Sequence, residues 1–220
     1  MSSAEVHGSF LLPWYILQVM ASARHLAPKD EYAVFETLAE HGVAVQPFTT
    51  TVEGIAGVGI PAVMVAWSAN APATRMMVAK YGDVVPAIAH AAKAGAFFMQ
   101  KHISGHEVAC GVIAHGRRIL PLVPVEAIPR SLHESGAWHI KPAVQNAVQA
   151  AAKAAHMALG IKGHSCVRMV VSGAVPYVTG VETHPSLART SLFMRSALLT
   201  GLTVHEVCDS VGSVFLNHKS

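Results

Sequence analysis

Residues 158–193 read ALGIKGHSCVRMVVSGAVPYVTGVETHPSLARTSLF, and this stretch decides the fold of the 220-residue chain. Two apolar runs rich in valine, residues 166–171 and 177–181, lie on either side of Ser172 and Gly173. Short runs of β-branched residues separated by a glycine-containing turn predict two strands joined as a hairpin. The stretch therefore predicts an antiparallel pair of strands in the C-terminal part of the protein.

Helical patterns precede and follow this hairpin. Residues 142–159 carry apolar side chains along one face, and Gly160 suits the position after a helix C-terminus. Downstream, Thr203 and Glu206 have the spacing of a capping box, which predicts a helix over residues 203–216. The hairpin thus lies between two predicted helices.

The N-terminal half contains a similar mixture of elements. The predicted elements are helices over residues 31–40 and 83–94, the second capped by Asp83, and strands over residues 61–67, 107–113 and 118–125. Segment 54–59 is glycine-rich without the pattern of a phosphate-binding loop, so it predicts a loop or turn. Hairpins beside helices predict an α+β fold with antiparallel sheets.

Apolar residues make up 52% of the chain and charged residues 13%, against about 25% charged residues in ordinary soluble domains. This excess predicts a subunit interface, because monomers rarely expose large apolar patches. A membrane span is the alternative, but the apolar stretch 10–21 contains Pro13 and Gln18 and is shorter than the roughly 20 residues that a span requires. Because no Lys or Arg precedes it, as a signal peptide requires, we predict a cytoplasmic protein without a membrane span.

The net charge and the distribution of cysteine and histidine residues argue against nucleic-acid-binding, disulfide-rich and metal-binding proteins. The net charge is +3 and the basic residues are scattered, which argues against nucleic-acid binding. Cys110, Cys166 and Cys208 are too few and too far apart for a disulfide framework or a thiolate metal site. His102 and His106 are four residues apart, but a glycine between them favours a loop over a metal-binding helix. We therefore predict no transition-metal site.

The stretch 158–193 resembles the C-terminal signature of the D-alanine–D-alanine ligase family, part of the ATP-grasp superfamily. The matching residues are Ala158-Leu159-Gly160, Gly163, Val167, Pro176-Tyr177, Val181, Thr183, Pro185, Leu187 and Thr190-Ser191-Leu192-Phe193. The resemblance extends more loosely over residues 7–218 and lacks the first half of the family's N-terminal domain. It implies an ATP-grasp-like α+β fold with two small subdomains. The implied domains are a vestigial remnant of the ligase N-terminal domain at 1–30, a central subdomain at 31–101 and a C-terminal subdomain at 102–220.

The resemblance also implies where the family's metal ligands fall. The family binds two magnesium ions through an Asp, a Glu and an Asn, and the matching positions here are Arg168, Gly180 and Glu182. An arginine repels a cation and a glycine has no side chain, which leaves Glu182 as the single ligand. No magnesium binding is therefore expected at these vestigial positions.

The positions implied for ATP have changed as well. Phosphoryl transfer needs positive charge around the phosphates, yet the family's two phosphate-binding lysines fall near Phe35 and Val65. The two residues that flank the adenine correspond to Gln100 and Lys101, and Glu107 matches the glutamate that bonds the ribose. The resemblance thus implies a vestigial ATP site at Gln100, Lys101 and Glu107.

Part of the substrate site is retained. Ser191 and Leu192 match the residues that hold the second D-alanine, although a structural role explains their presence equally well. Cys166 replaces the arginine that steadies the oxyanion. The loop that shields the family's active site is shortened around residues 129–139, which removes the lid that excludes water.

Together these changes predict a D-alanine–D-alanine ligase-like pseudoenzyme without a cofactor or assigned catalytic residue. It would act as a structural or interaction module, either as a homo-oligomer, since the family is dimeric, or with an unidentified protein partner. The alternative is an ATP-dependent carboxylate–amine ligase of peptidoglycan synthesis, with ATP and magnesium, in which Glu182, Glu107, Lys101 and Arg168 take over the missing roles. A third possibility is a small-molecule sensor that keeps the pocket near Ser191 without chemistry.

Overall fold

Two antiparallel sheets, each covered by helices, make up the part of the chain that the structure describes. This computed structural model describes residues 28–51, 53–68, 71–115, 118–127 and 140–216. The first sheet has the order β1-β4-β2-β3 and consists of β1 (Phe48–Thr49), β2 (Ala62–Ser68), β3 (Ala71–Val78) and β4 (Ala96–Lys101). The second has the order β6-β5-β8-β9, with β7 also paired to β5, and consists of β5 (His106–His115), β6 (Arg118–Pro121), β7 (Val125–Glu126), β8 (His164–Ser172) and β9 (Val175–Glu182).

Helices connect and cover these sheets. They are α1 (Pro28–Glu40), α2 (Ile55–Val58), α3 (Val84–Ala94), α4 (Pro142–Ala158), α5 (Leu192–Leu199) and α6 (Val204–Leu216), with a 3-10 helix at Tyr81–Asp83 before α3. None of the helices in the described residues is long and apolar enough to cross a membrane. The expected α+β fold with antiparallel sheets is confirmed.

The predicted C-terminal hairpin forms as β8 and β9. Gly173 lies in the connecting turn with a φ of 63°, a left-handed conformation that favours glycine. Because side chains alternate along a strand, Val167 and Met169 point to one face of the sheet and pack against Val148 and Ala155 of α4. The opposite face of the sheet carries the polar residues of the candidate site.

A second core lies in the first sheet. Met64 and Met99 pack with Ala87 of α3 and with Ile55 of α2 on one face of that sheet. On the other face, Val65 and Phe98 pack against Phe35 of α1. Each face of this sheet therefore has its own apolar cluster.

Helix α1 contributes to the cores of both sheets. Phe35 packs on the first sheet, whereas Leu38, about one turn later, belongs to the core beside α4. Just after the helix, the N–H of Val178 in β9 donates to the carbonyl of Ala44, with the nitrogen and oxygen 2.9 Å apart. The segment around α1 thus connects the two sheets.

Several local predictions need correction. Segment 54–59 contains the one-turn helix α2 rather than only a loop. The predicted strand 118–125 is interrupted after Pro121, because the backbone N–H and carbonyl of Val123 bond with the side chains of Thr200 and Ser196. The sequence does not predict β3 or β4, and β4 is buried on both faces at Phe98 and Met99, which removes the alternation that identifies a strand.

The predicted cap of α3 is also different. The carboxylate of Asp83 accepts hydrogen bonds from the backbone N–H groups of Ala79 and Lys80, which precede it. Asp83 directly precedes α3, as an N-cap residue does, but among the described residues its carboxylate bonds to these upstream N–H groups and not to the first turn of α3. Most of the expected N-terminal remnant at 1–30, the apolar stretch 10–21 and the shortened lid at 129–139 lie outside the described residues.

Candidate functional site

One face of the second sheet, opposite the face that packs on α4, carries Glu107, Arg168 and Glu182 and is called the polar face here. It brings together the positions that the resemblance implies for metal ligands. In the β8–β9 pairing, Arg168 lies opposite Gly180 and Cys166 lies opposite Glu182. Positions two apart on a strand share a face. Arg168, Gly180 and Glu182 therefore lie together on one face of the sheet.

An ion pair joins two of these positions. A guanidinium nitrogen of Arg168 donates to a carboxylate oxygen of Glu182, and both side chains are only partly exposed. A charge-assisted bond of this kind is stronger than a neutral hydrogen bond. The single carboxylate among the three vestigial metal positions is therefore bound to a protein cation.

Glu107 lies on the same face, on β5. Its strand neighbour two positions along, Ala109, is opposite Arg168, so the carboxyl group of Glu107 and the guanidinium lie on adjacent strands. Burial raises the pKa of Glu107 to about 7, and the charge of Arg168 opposes part of this rise. Near neutral pH this carboxyl group is thus present in both protonation states.

Cys166 supplies no charge to this face. The thiol is buried, and burial followed by the nearby carboxylate of Glu182 raises its pKa far above the ordinary range. Only a thiolate acts as a nucleophile or metal ligand. The position implied for an oxyanion-binding arginine therefore carries a neutral thiol.

The first sheet separates the two residues implied for adenine. Gln100 pairs with Phe48 and Val63, whereas its neighbour Lys101 pairs with Ala62. Adjacent residues of a strand point to opposite faces, so the structure does not bring the Gln100 and Lys101 side chains together. Among the described residues, none accepts a hydrogen bond from the buried Nε2 of Gln100.

The positions implied for the phosphate-binding lysines lie in one apolar cluster. Phe35 and Val65 are both buried against Phe98, with the rings of Phe35 and Phe98 stacked 5.7 Å apart between centroids. Phe48 packs against the same group, with its ring centroid 6.3 Å from that of Phe35. At Phe35 and Val65, buried aromatic and aliphatic side chains therefore occupy the two positions where the resemblance implies positively charged lysines.

Ser191 and Leu192 have structural partners. The Ser191 hydroxyl is the N-cap of α5, accepting from the N–H of Met194 at 3.2 Å and donating to the carbonyl of Ser186 at 2.6 Å. Leu192 packs against the apolar cluster between α5 and the sheet. Both residues therefore have a role in holding the start of α5.

The remaining features of the structure concern a possible metal site, a buried hydrogen bond and a cavity. Among the described residues, no three His, Cys, Asp or Glu side chains are grouped so that they could hold a metal ion. Sequence reasoning missed the hydrogen bond between the buried side chains of His156 and Ser165, which no motif signals. It also missed a cavity of about 620 Å³ between β6 and α6, lined by Leu120, Leu202 and Lys153 among others, because only the tertiary packing creates it.

Comparison with known proteins finds sequence relatives that are D-alanine–D-alanine ligases. No family model matches the chain. A D-alanine–D-alanine ligase of Leptospira biflexa is 32% identical over 126 residues, which cover 50% of this chain and 36% of the relative. One from Anaeromyxobacter sp. (strain K) is 26% identical, over 92% of this chain and 71% of the relative. The chain therefore spans about a third of the length of the first relative and less than three quarters of the second.

Solved structures share the fold. The D-alanine–D-alanine ligase from Bacillus anthracis complexed with ATP superposes with a TM-score of 0.67 at 17% identity, covering 85% of this chain and 65% of that one. The VanG D-Ala:D-Ser ligase from Enterococcus faecalis gives the same TM-score and identity over 84% of this chain and 61% of that one. The chain is therefore similar in sequence to D-alanine–D-alanine ligases and shares the fold of the solved ones.

Proposed function

We propose that this chain is a non-catalytic member of the D-alanine–D-alanine ligase family, a structural or interaction module built on the ligase scaffold. The observation that carries the proposal is the apolar cluster of Phe35, Val65, Phe98 and Phe48. Transfer of a phosphoryl group depends on positive charge held around the phosphates. Two of the positions implied for that charge are buried hydrocarbon side chains here, which supports a role without catalysis.

The retained residues support the same proposal. Ser191 and Leu192 hold the start of α5. These contacts stabilise the fold without a ligand. Retention of these residues is therefore explained by structure.

The interaction role is supported by exposed apolar side chains. Tyr81, in the 3-10 helix before α3, is 82% exposed, and Val85, in the first turn of α3, is 72% exposed. Aromatic residues are enriched at protein interfaces. We propose that this pair takes part in a contact with a second copy of the chain.

Thermal unfolding with and without ATP and magnesium tests the lack of nucleotide binding. A ligand present at about a hundred times its dissociation constant adds roughly 2.7 kcal/mol to stability, which shifts the midpoint of a chain this long by several degrees. We expect no shift at millimolar ATP. The Leptospira biflexa ligase, treated identically, is the positive control.

A turnover assay tests the lack of chemistry. ADP release is measured with ATP, magnesium and D-alanine, alongside the same control ligase. We expect no release above the buffer rate. Magnesium-dependent ADP release that increases with D-alanine would contradict the proposal and favour a ligase with rearranged ligands. A rise in the thermal unfolding midpoint with D-alanine alone, in the absence of ADP release, would favour a small-molecule sensor.

A further inference from the structure

The magnesium ions that the family implies do not fit the polar face of the second sheet. Magnesium takes oxygen ligands in near-octahedral geometry. Of the three implied positions, Gly180 offers no side chain, Arg168 offers only N–H donors, and the carboxylate of Glu182 is bonded to Arg168. The side chains on this face therefore suit a positively charged side chain of the protein better than a divalent ion.

The missing side chain at Gly180 is not explained by crowding. A Cβ atom built on Gly180 would meet no other atom within 4 Å, and Gly180 does not have a positive φ. A side chain at this position is thus sterically permitted beside Arg168.

Arg168 lies centrally among the charges of the face. It pairs directly with Glu182 across β8 and β9, and it interacts electrostatically with Glu107 on β5. A guanidinium group is planar, permanently charged and able to donate several hydrogen bonds at once. It can therefore offset the negative charge of carboxylates on both neighbouring strands. Unlike a metal ion, it does not need a full set of coordinating oxygen atoms to do so.

We propose that the guanidinium of Arg168 takes the place of a divalent cation on this face, joining β8 to β9 through Glu182 and facing Glu107 on β5. The inference deepens the proposed function and rests on it only for the location of the site. It predicts that the face binds no divalent ion as long as Arg168 is present. It also predicts that removing the guanidinium and adding carboxylates converts the face into an ion site.

Titration with Mn²⁺ tests this inference. Bound Mn²⁺ is measured by electron paramagnetic resonance in the wild type, in R168Q and in R168D/G180E. We expect no specific binding to the wild type or R168Q, and binding to R168D/G180E that is tighter than to R168Q by about tenfold or more, because ligand charge count sets affinity. R168Q is the matched control, since it loses the cation without gaining a carboxylate.

Two results would overturn the inference. One is Mn²⁺ binding to the wild type that E182Q abolishes, which would mean that the ion displaces the guanidinium. The other is a folded R168D/G180E variant that binds Mn²⁺ no better than R168Q. Turnover is measured separately: ADP release without Mn²⁺ binding on this face contradicts only the proposed function, and Mn²⁺ binding to the wild type without turnover contradicts only the role of Arg168.

A double-mutant cycle covers the case in which R168D/G180E does not fold. The thermal midpoints of R168Q, E182Q and R168Q/E182Q are compared with that of the wild type. If Arg168 joins the two strands through Glu182, the two single losses are not additive, because either substitution already breaks the same bond. Additive losses would show that the two side chains act independently and would overturn the inference.

Discussion

Acid sensitivity is expected from one buried histidine. His156 is fully buried, and its Nδ1 lies 2.8 Å from the hydroxyl oxygen of Ser165. Burial lowers the pKa of His156 below 6.5, so the unfolded chain binds a proton more readily than the folded one. The contribution to stability is complete above the unfolded pKa of about 6.5 and is lost as the pH falls from there through the lowered folded pKa.

The substitution H156Q tests this origin of the pH dependence. Glutamine keeps a hydrogen-bonding group without a titrating ring, so the loss of stability below about pH 6.5 should become shallower in H156Q. Urea unfolding at several pH values measures the change. His164, whose pKa burial also lowers, accounts for a residual slope. H90Q, at a residue less buried than His156, is the control, and an equal flattening in H90Q would contradict the assignment.

Sequence reasoning at the scale of single residues depended on the resemblance. It implied that Arg168, Gly180 and Glu182 belong together, and the strand register places them on one face. It did not predict the ion pair between Arg168 and Glu182, because that contact depends on register and rotamer rather than on residue type. The same holds for the environment of Glu107, where burial decides the pKa.

Among the elements, local sequence predicted those whose signals are local. The capping box at the start of α6 is confirmed, since Thr203 Oγ1 accepts from the N–H of Glu206 at 3.2 Å and the carboxylate of Glu206 accepts from the N–H of Thr203 at 2.8 Å. The end of β6 was not predictable in this way. Its boundary is set by bonds between Val123 and side chains of α5 and its C-cap, more than seventy residues away.

Ser196 of α5 is central to this long-range connection. Its buried hydroxyl donates to the carbonyl of Val123 at 2.6 Å and accepts from the N–H of Gly111 in β5 at 3.0 Å. In S196A, the carbonyl of Val123 and the N–H of Gly111 lose this hydrogen-bond partner in a buried environment. We expect the free energy of unfolding to fall by about 1–3 kcal/mol, measured by urea denaturation.

A matched control for S196A is Thr183→Ala, which removes a hydroxyl from an exposed residue. Exposed polar groups exchange a protein partner for water, so this change should alter stability by no more than about 0.5 kcal/mol. A loss in S196A no greater than in T183A would mean that the contact between α5 and β5 does not depend on this hydroxyl.

For the molecule as a whole, the two sheets lie on either side of the predicted boundary between residues 101 and 102. The boundaries of the three implied domains stay a prediction. Helix α1 qualifies the division, because Phe35 and Leu38 place it in both cores. A sequence pattern identifies the apolar face of such a helix, but it does not reveal that the face contacts two sheets.

Self-association is the expected behaviour of the whole molecule, and Tyr81 and Val85 provide the test. Both are largely exposed, and burying such side chains against a second copy contributes roughly 1.5–3 kcal/mol for each large apolar side chain. Light scattering over a range of protein concentrations should show a concentration-dependent increase in mass. Y81K/V85K should remain smaller at the same concentrations, because lysine is costly to bury without a partner.

The control for this test is M157K, which changes a residue of α4 that is 56% exposed. Its mass distribution should match that of the wild type, since one added charge outside the contact leaves the interface unchanged. Equal loss of association in M157K and Y81K/V85K would point to net charge as the cause. A wild type that stays monomeric at all concentrations would contradict the homo-oligomer and leave a different protein as the partner of the exposed pair.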